Sequence, residues 1–190
     1  MTSNSVYLPN PSPGWALIAQ SGVLVDCQVN QPLSTLLTED FGLSPAQMAK
    51  IEALVLDGSP VDDLSATMAY DQSRLALAAG LPGIAGLAIK KDSPVKALRN
   101  SITYSGRDQN LSPTKGRIRL ALYSLVLNAL APFFLARGVW VTATQLRRYG
   151  SFYPQDVLEF QGRQTVVSQF LANIPLDSTE TFFLKAALST

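Results

Sequence analysis

The stretch from Ile51 to Gly86, IEALVLDGSPVDDLSATMAYDQSRLALAAGLPGIAG, constrains the fold more than any other part of the chain. ALVL is a short apolar run entering Asp57-Gly58, a dipeptide suited to a two-residue hairpin turn because both residues accept positive φ. SPV reads as a second short strand, Asp62-Asp63 as part of an irregular link, and Leu75 to Ala79 as a further strand. A glycine-proline loop follows, from Gly80 to Gly86. This order predicts a small sheet packed on a helix.

The segments before it fit that picture. Residues 1–13 are polar and contain Pro9, Pro11 and Pro13, which predicts an irregular arm. WALIAQ and VLVDCQV, separated by Ser21-Gly22, are expected to form a hairpin. In PLSTLLTEDFG, Leu33, Leu36, Leu37 and Phe41 fall at helical spacing, with Gly42 placed as a stop. Ser44-Pro45-Ala46-Gln47 carries the signature of a capped helix start, with serine as cap, proline in the first turn and glutamine closing the box.

Hairpin, helix, strand, glycine turn and strand, with LVLDGSPVDDL followed by SRLALAAG, resemble the β-grasp fold of ubiquitin and of the sulfur-carrier proteins of thiamin and molybdopterin synthesis. The likeness covers roughly residues 15–80. Those carriers end in an activated Gly-Gly tail, whereas this sequence has no Gly-Gly and finishes in LST. The resemblance therefore implies a scaffold for binding and not carrier chemistry.

Beyond the glycine loop, GLAIKKDSPVKALRNSITY predicts a second hairpin around Asp92-Ser93-Pro94, followed by the polar loop SGRDQNLSPTKG. Residues 117–137 hold a long apolar segment, predicted as a helix kinked or split at Pro132. Its beginning, RIRLAL, alternates and fits a strand as well. Gly138 is placed to end the segment, and VWVTATQL reads as a strand. GRQTVVSQFLANI and STETFFLKAAL are expected as short helices, the second capped by Asp177 with Glu180 three residues on. The fold class expected is α+β, with an irregular arm at 1–13, a β-grasp-like part at 14–86, and a hairpin plus helix-rich part at 87–190. With no long linker between them, these parts can equally form one continuous domain.

The chemistry open to the chain is narrow. Hydrophobic residues are 47% of the 190 and charged residues 15%, which favours a packed core over disorder. There is no histidine, so Ser-His-Asp triads, Cys-His pairs and histidine metal sites are excluded. Cys27 is the single cysteine, which excludes an intramolecular disulfide and multi-cysteine metal sites. It alternates with Val23, Val25 and Val29, as a buried structural thiol would. The N-terminus lacks the basic start and apolar core of a secretory signal. Leu120 to Ala136 carries no charge but contains Asn128 and Pro132 between cationic flanks, and is read as a core helix, not a membrane span. A cytoplasmic location is the default expectation.

No catalytic residue, metal site or cofactor motif is legible. The Gly80–Gly86 loop has Leu81 where a dinucleotide fingerprint needs glycine, and lacks the Gly-Lys-Ser/Thr of a P-loop. Asp62-Asp63, with Asp57 and Asp71 nearby, do not match a calcium loop and read as turn carboxylates. Glu39-Asp40 is placed on the solvent side of a helix, and Arg147-Arg148-Tyr149 at the polar end of an element.

Charge is unevenly distributed. Residues 1–74 carry eight acids against Lys50 and Arg74, a net of −6, and residues 90–119 carry a net of +6. The basic segment supplies the candidate anion-binding residues Lys90, Lys91, Arg99, Arg107, Lys115, Arg117 and Arg119. The alternative is that these charges solvate two faces of one fold or pair within it. Tyr104 is the only aromatic residue among them, so nucleic acid is weakly supported. The functional expectation is a non-catalytic binding or protein-interaction module, with self-association to cover apolar surface. The alternative is an enzyme or carrier that holds an anionic, phosphorylated small molecule on the basic segment.

Overall fold

In the computed structural model, residues 4–80 and 111–188 are described. The hairpin expected at Asp92-Ser93-Pro94 and the loop beyond Gly80 lie outside them, as do Lys90, Lys91, Arg99 and Arg107. The chain divides into two compact units, Leu24–Ala129 and a second built from Met1–Val23 with Leu130–Thr190. This differs from the expected division at residue 86: strands from the two ends of the sequence pair within one unit. Both units mix helices with sheet, an α+β architecture. Strands are numbered along the whole chain.

Within Leu24–Ala129 the strands lie in the order β2-β8-β7-β4-β5. They are β2 (Val23–Val29), β4 (Ala53–Leu56), β5 (Ser59–Pro60), β7 (Arg74–Ala79) and β8 (Thr114–Tyr123). A separate antiparallel pair joins β3 (Gln31–Pro32) to β6 (Met68–Ala69). In β2, Val25, Cys27 and Val29 are buried while Asp26 is exposed, the alternation read from the sequence. Asp57 at φ 50° and Gly58 at φ 88° form the expected turn between β4 and β5.

The β7–β8 pair is parallel and the β4–β7 pair antiparallel. Their registers align Leu56, Leu75 and Leu120 in one row and Leu54, Leu77 and Leu122 in the next, all 2% exposed or less. Such rows exist because strand side chains alternate, so every second residue of each strand reaches the same core. RIRLAL belongs to β8: Ile118, Leu120 and Leu122 are buried between outward Arg117, Arg119 and Ala121. The long helix expected from residue 117 therefore begins only at Ser124, which turns the chain through φ 54°. Helix Ser124–Arg137 then runs through Pro132 as one span and passes from one unit into the other.

Leu33–Thr35 is helical and continues into a π turn, Leu36–Asp40, together burying Leu33, Leu36 and Leu37. Gly42 ends it at φ 73°. The short helix Pro45–Met48 has the predicted capping box: Ser44 Oγ accepts from the Gln47 amide at 3.3 Å, and Gln47 Oε1 accepts from the Ser44 amide at 2.9 Å.

In the other unit the order is β11-β10-β1-β12-β9. The strands are β1 (Ser5–Leu8), β9 (Val139–Thr142), β10 (Val157–Phe160), β11 (Arg163–Val166) and β12 (Thr181–Ala186). Several expectations are corrected here. Residues 5–8 are not an irregular arm, because Val6 and Leu8 alternate with Ser5 and Tyr7 and enter the core. WALIAQ lies in a 3-10 helix, Pro13–Ser21, since Trp15, Ile18 and Ala19 are buried at three- and four-residue spacing. TFFLKA is strand β12, not a helix capped at Asp177: Phe182, Leu184 and Ala186 are buried in strict alternation.

VWVTATQL divides into β9 and the helix Ala143–Gly150, capped by Thr142 with Gln145. GRQTVVSQFLANI divides into β11 and the helix Val167–Ala172. After residue 110 the described chain thus divides about evenly between helix and strand. Among the described residues no helix is long and apolar enough to cross a membrane.

Candidate binding cleft

An open concavity of the unit formed by residues 1–23 and 130–190 sits where the β10–β11 hairpin meets the start of β12. Val157–Phe160 and Arg163–Val166 are joined by only Gln161 and Gly162, at φ 50° and 76°. In a two-residue hairpin the flanking pair, Phe160 and Arg163, exchanges hydrogen bonds, and the next pair, Glu159 and Gln164, does not. The backbone of Gln164 and Val166 therefore points away from β10. Among the described residues no strand lies beyond β11, which is the edge strand of this sheet.

Register also sets which side chains share a face. Phe160 stands beside Arg163, and Leu158 beside Thr165. Behind them, Phe160, Phe170 and Phe182 form a cluster with ring centroids 5.0 Å (Phe160–Phe170), 5.7 Å (Phe170–Phe182) and 6.4 Å (Phe160–Phe182) apart. Tilted and edge-on contacts at such distances are the favoured aromatic geometry. The cleft above this floor measures about 760 Å³ and is walled by the hairpin, the Val167–Ala172 helix and residues 173–180. Asn173 Nδ2 donates to the Gln169 carbonyl at 2.9 Å, closing the helix end at the wall.

Arg163 and Glu180 line the cleft with exposed side chains. The remaining polar lining comes from Gln161, Gln164, Thr165 and Asn173, and the Gln164 carboxamide itself donates to Glu159 Oε1 at 3.1 Å. One carboxylate, one guanidinium and one hydroxyl over an aromatic floor can bind and orient a ligand. The lining holds no thiol, amine or second carboxylate to form an acid–base pair.

Three of the seven candidate anion-binding residues fall among the described residues, all on one face of β8. Lys115, Arg117 and Arg119 alternate with the buried Ile118, and Arg119 lies in register with Arg74 of β7. Arg117 Nε is 2.6 Å from Asp26 Oδ1, with the two side chains 40% and 55% exposed, so part of the acid–base imbalance along the sequence pairs within this unit. The Arg117 amide also donates to Asp71 Oδ1 at 2.8 Å.

The acidic candidates serve the backbone. Asp63 Oδ1 accepts from the Ser65 and Ala66 amides, and Asp57 accepts from the Arg74 amide and the Ser73 hydroxyl. Asp40 is not on the solvent side as expected: it is half-buried and accepts from the Gln28 amide at 2.6 Å. Arg147 is likewise no solvated end, since its guanidinium donates to the carbonyls of Ile174, Pro175 and Leu176. No cluster of acidic, cysteine or histidine residues able to hold a metal occurs among the described residues.

No family model, curated protein or solved structure matches the chain. The cleft must be read from its own chemistry.

The phenylalanines of the cleft were not singled out by sequence. The available signal was Gln161-Gly162 between VLEF and RQTV, a two-residue turn between strand-like runs. The helical spacing of the residues after it obscured that hairpin.

Proposed function

We propose that this protein is a non-catalytic binding module that takes an extended peptide at the β10–β11 hairpin. The peptide adds as a strand to β11 and seats an apolar side chain on Phe160, Phe170 and Phe182. The observation that carries this reading is the edge strand β11 alongside an aromatic-floored cleft, a pairing in which main-chain hydrogen bonds give affinity and a pocket gives selectivity. Arg163 and Glu180 are placed to meet opposite charges on either side of the seated residue.

The test is selection from a phage-displayed random dodecapeptide library, followed by calorimetric titration of the selected synthetic peptides. Gln164→Pro removes an outward amide without touching the β10 ladder, and Phe160→Ala opens the floor. Each is expected to weaken binding about tenfold or more while the melting curve stays cooperative. Peptides that bind both variants as tightly as the parent protein would overturn the reading.

The β-grasp likeness belongs with this proposal as a scaffold for binding. Its support is β4, the Asp57-Gly58 turn and β7, following a helix; the segment expected as its first strand is the 3-10 helix. A second reading, an anionic ligand on the basic segment, is favoured by Lys115, Arg117 and Arg119 sharing a face next to Arg74. Retention on heparin that weakens steeply between low and moderate salt is its expected outcome.

A further inference from the structure

The β10–β11 hairpin joins the rest of its sheet through one short strand. β1 lies between β10 and β12, antiparallel to the first and parallel to the second. On the β12 side, the Asn4 carbonyl accepts from the Phe183 amide at 3.0 Å and the Leu8 carbonyl accepts from the Ala187 amide at 2.9 Å. Val6 and Leu8 fill the core below, 1% and 0% exposed. The chain leaves β1 through Pro9-Asn10-Pro11-Ser12-Pro13. At the far end of that linker a latch holds it: Asp156 accepts from the Ser12 amide at 2.9 Å, the Ser12 hydroxyl at 2.8 Å and Trp15 Nε1 at 2.9 Å.

We propose that β1 is an exchangeable strand, and that the slot between β10 and β12 accepts β1 of a second copy of this chain to give a reciprocal dimer. Withdrawing β1 leaves two unpaired strand edges and a two-residue hole in the core. The filler must pair parallel on one side and antiparallel on the other, with apolar residues two apart. The chain's own strand meets all three demands. Every contact β1 makes in the closed monomer is remade in the exchanged dimer, so the balance rests on the linker and on concentration. Prolines at alternate positions hold that linker extended, at about 3 Å per residue, which favours projecting the strand outward over turning it back. The latch at Ser12 lies on the linker's far side and is kept in both forms.

This inference is separate from the peptide cleft, because its probes sit on β1 and β12. Tyr7 and Lys185 are register partners with exposed side chains. A Tyr7→Cys/Lys185→Cys double variant, oxidised when dilute, is expected to close as a crosslinked monomer. Tyr7→Cys and Lys185→Cys single variants, unfolded together, refolded at high concentration and oxidised, are expected to give a mixed disulfide dimer. Its yield should rise with concentration, fall several-fold when Pro9 and Pro11 are both replaced by Ala, and vanish when either variant is oxidised alone. A double variant that closes while the mixed pair yields no crosslinked dimer overturns the proposal. A double variant that fails to close overturns it too, because β1 then does not sit beside β12.

Discussion

Asp156 ties the start of the chain to the segment before β10. Its carboxylate gathers a backbone amide, a hydroxyl and the indole N–H of Trp15, which is only 1% exposed. Replacing Asp156 by Ala leaves that buried donor without its acceptor and is expected to cost about 2–3 kcal/mol in urea denaturation. Asp156→Asn, which keeps a carbonyl oxygen, should cost less; equal losses would show that packing and not hydrogen bonding is at stake. Gly138 makes a second residue-scale case. It sits at φ 104°, and a Cβ there would strike the Phe183 ring. Gly138→Ala is expected to destabilise by about 2–4 kcal/mol, combining backbone strain with overpacking. Gly42→Ala at φ 73°, with open space around it, should lose only the strain part, about 1–2 kcal/mol. Thermal melts of the two variants side by side separate the contributions.

At the scale of elements, β1 shows how little length a strand needs when both its edges are paired. Leu8 is fully buried, and Leu8→Ala is expected to cost about 2–5 kcal/mol, as a core truncation would, despite its place in a proline-rich polar stretch. A loss under about 0.5 kcal/mol in the same denaturation assay would mean that β1 is only loosely held. Surface pairing behaves differently. The Arg117–Asp26 contact between β8 and β2 is short but exposed on both sides. Arg117→Ala is expected to change stability by less than about 1 kcal/mol, with the effect shrinking as salt is added.

At the scale of the whole molecule, the two compact units differ in how the chain builds them. One is a single stretch, and the other is assembled from residues 1–23 and 130–190. In the discontinuous unit, β1 pairs with β10 and β12, more than 140 residues away along the chain. Closing so long a loop costs entropy before the contacts that reward it form. Refolding is therefore expected to be biphasic, with tryptophan fluorescence recovering late, because Trp15 and Trp140 both belong to that unit. Coincident recovery of fluorescence and far-ultraviolet circular dichroism would contradict it.

Local chemistry was legible wherever a few neighbouring residues settle the backbone. The Ser44–Gln47 box, the Asp57-Gly58 turn, the glycine stop at Gly42, the buried alternation around Cys27 and the strand at Leu75 follow from side chains acting within four or five positions. The segments read wrongly share one physical cause. WALIAQ, TFFLKA and residues 5–8 are short apolar runs whose strand or helix state depends on which partner lies alongside, and the partner is remote in sequence. β12 is a strand because β1 and β9 flank it, and β1 is a strand because β10 and β12 do. The cleft shares that dependence, since Phe160, Phe170 and Phe182 meet only through tertiary pairing. The sequence alone determined the Asp57-Gly58 turn, the Ser44–Gln47 cap, the Gly42 stop, the α+β class and the exclusion of histidine and paired-cysteine chemistry. The tertiary structure decided strand order, the unit boundaries and the cleft, because these rest on contacts between segments that no local pattern encodes.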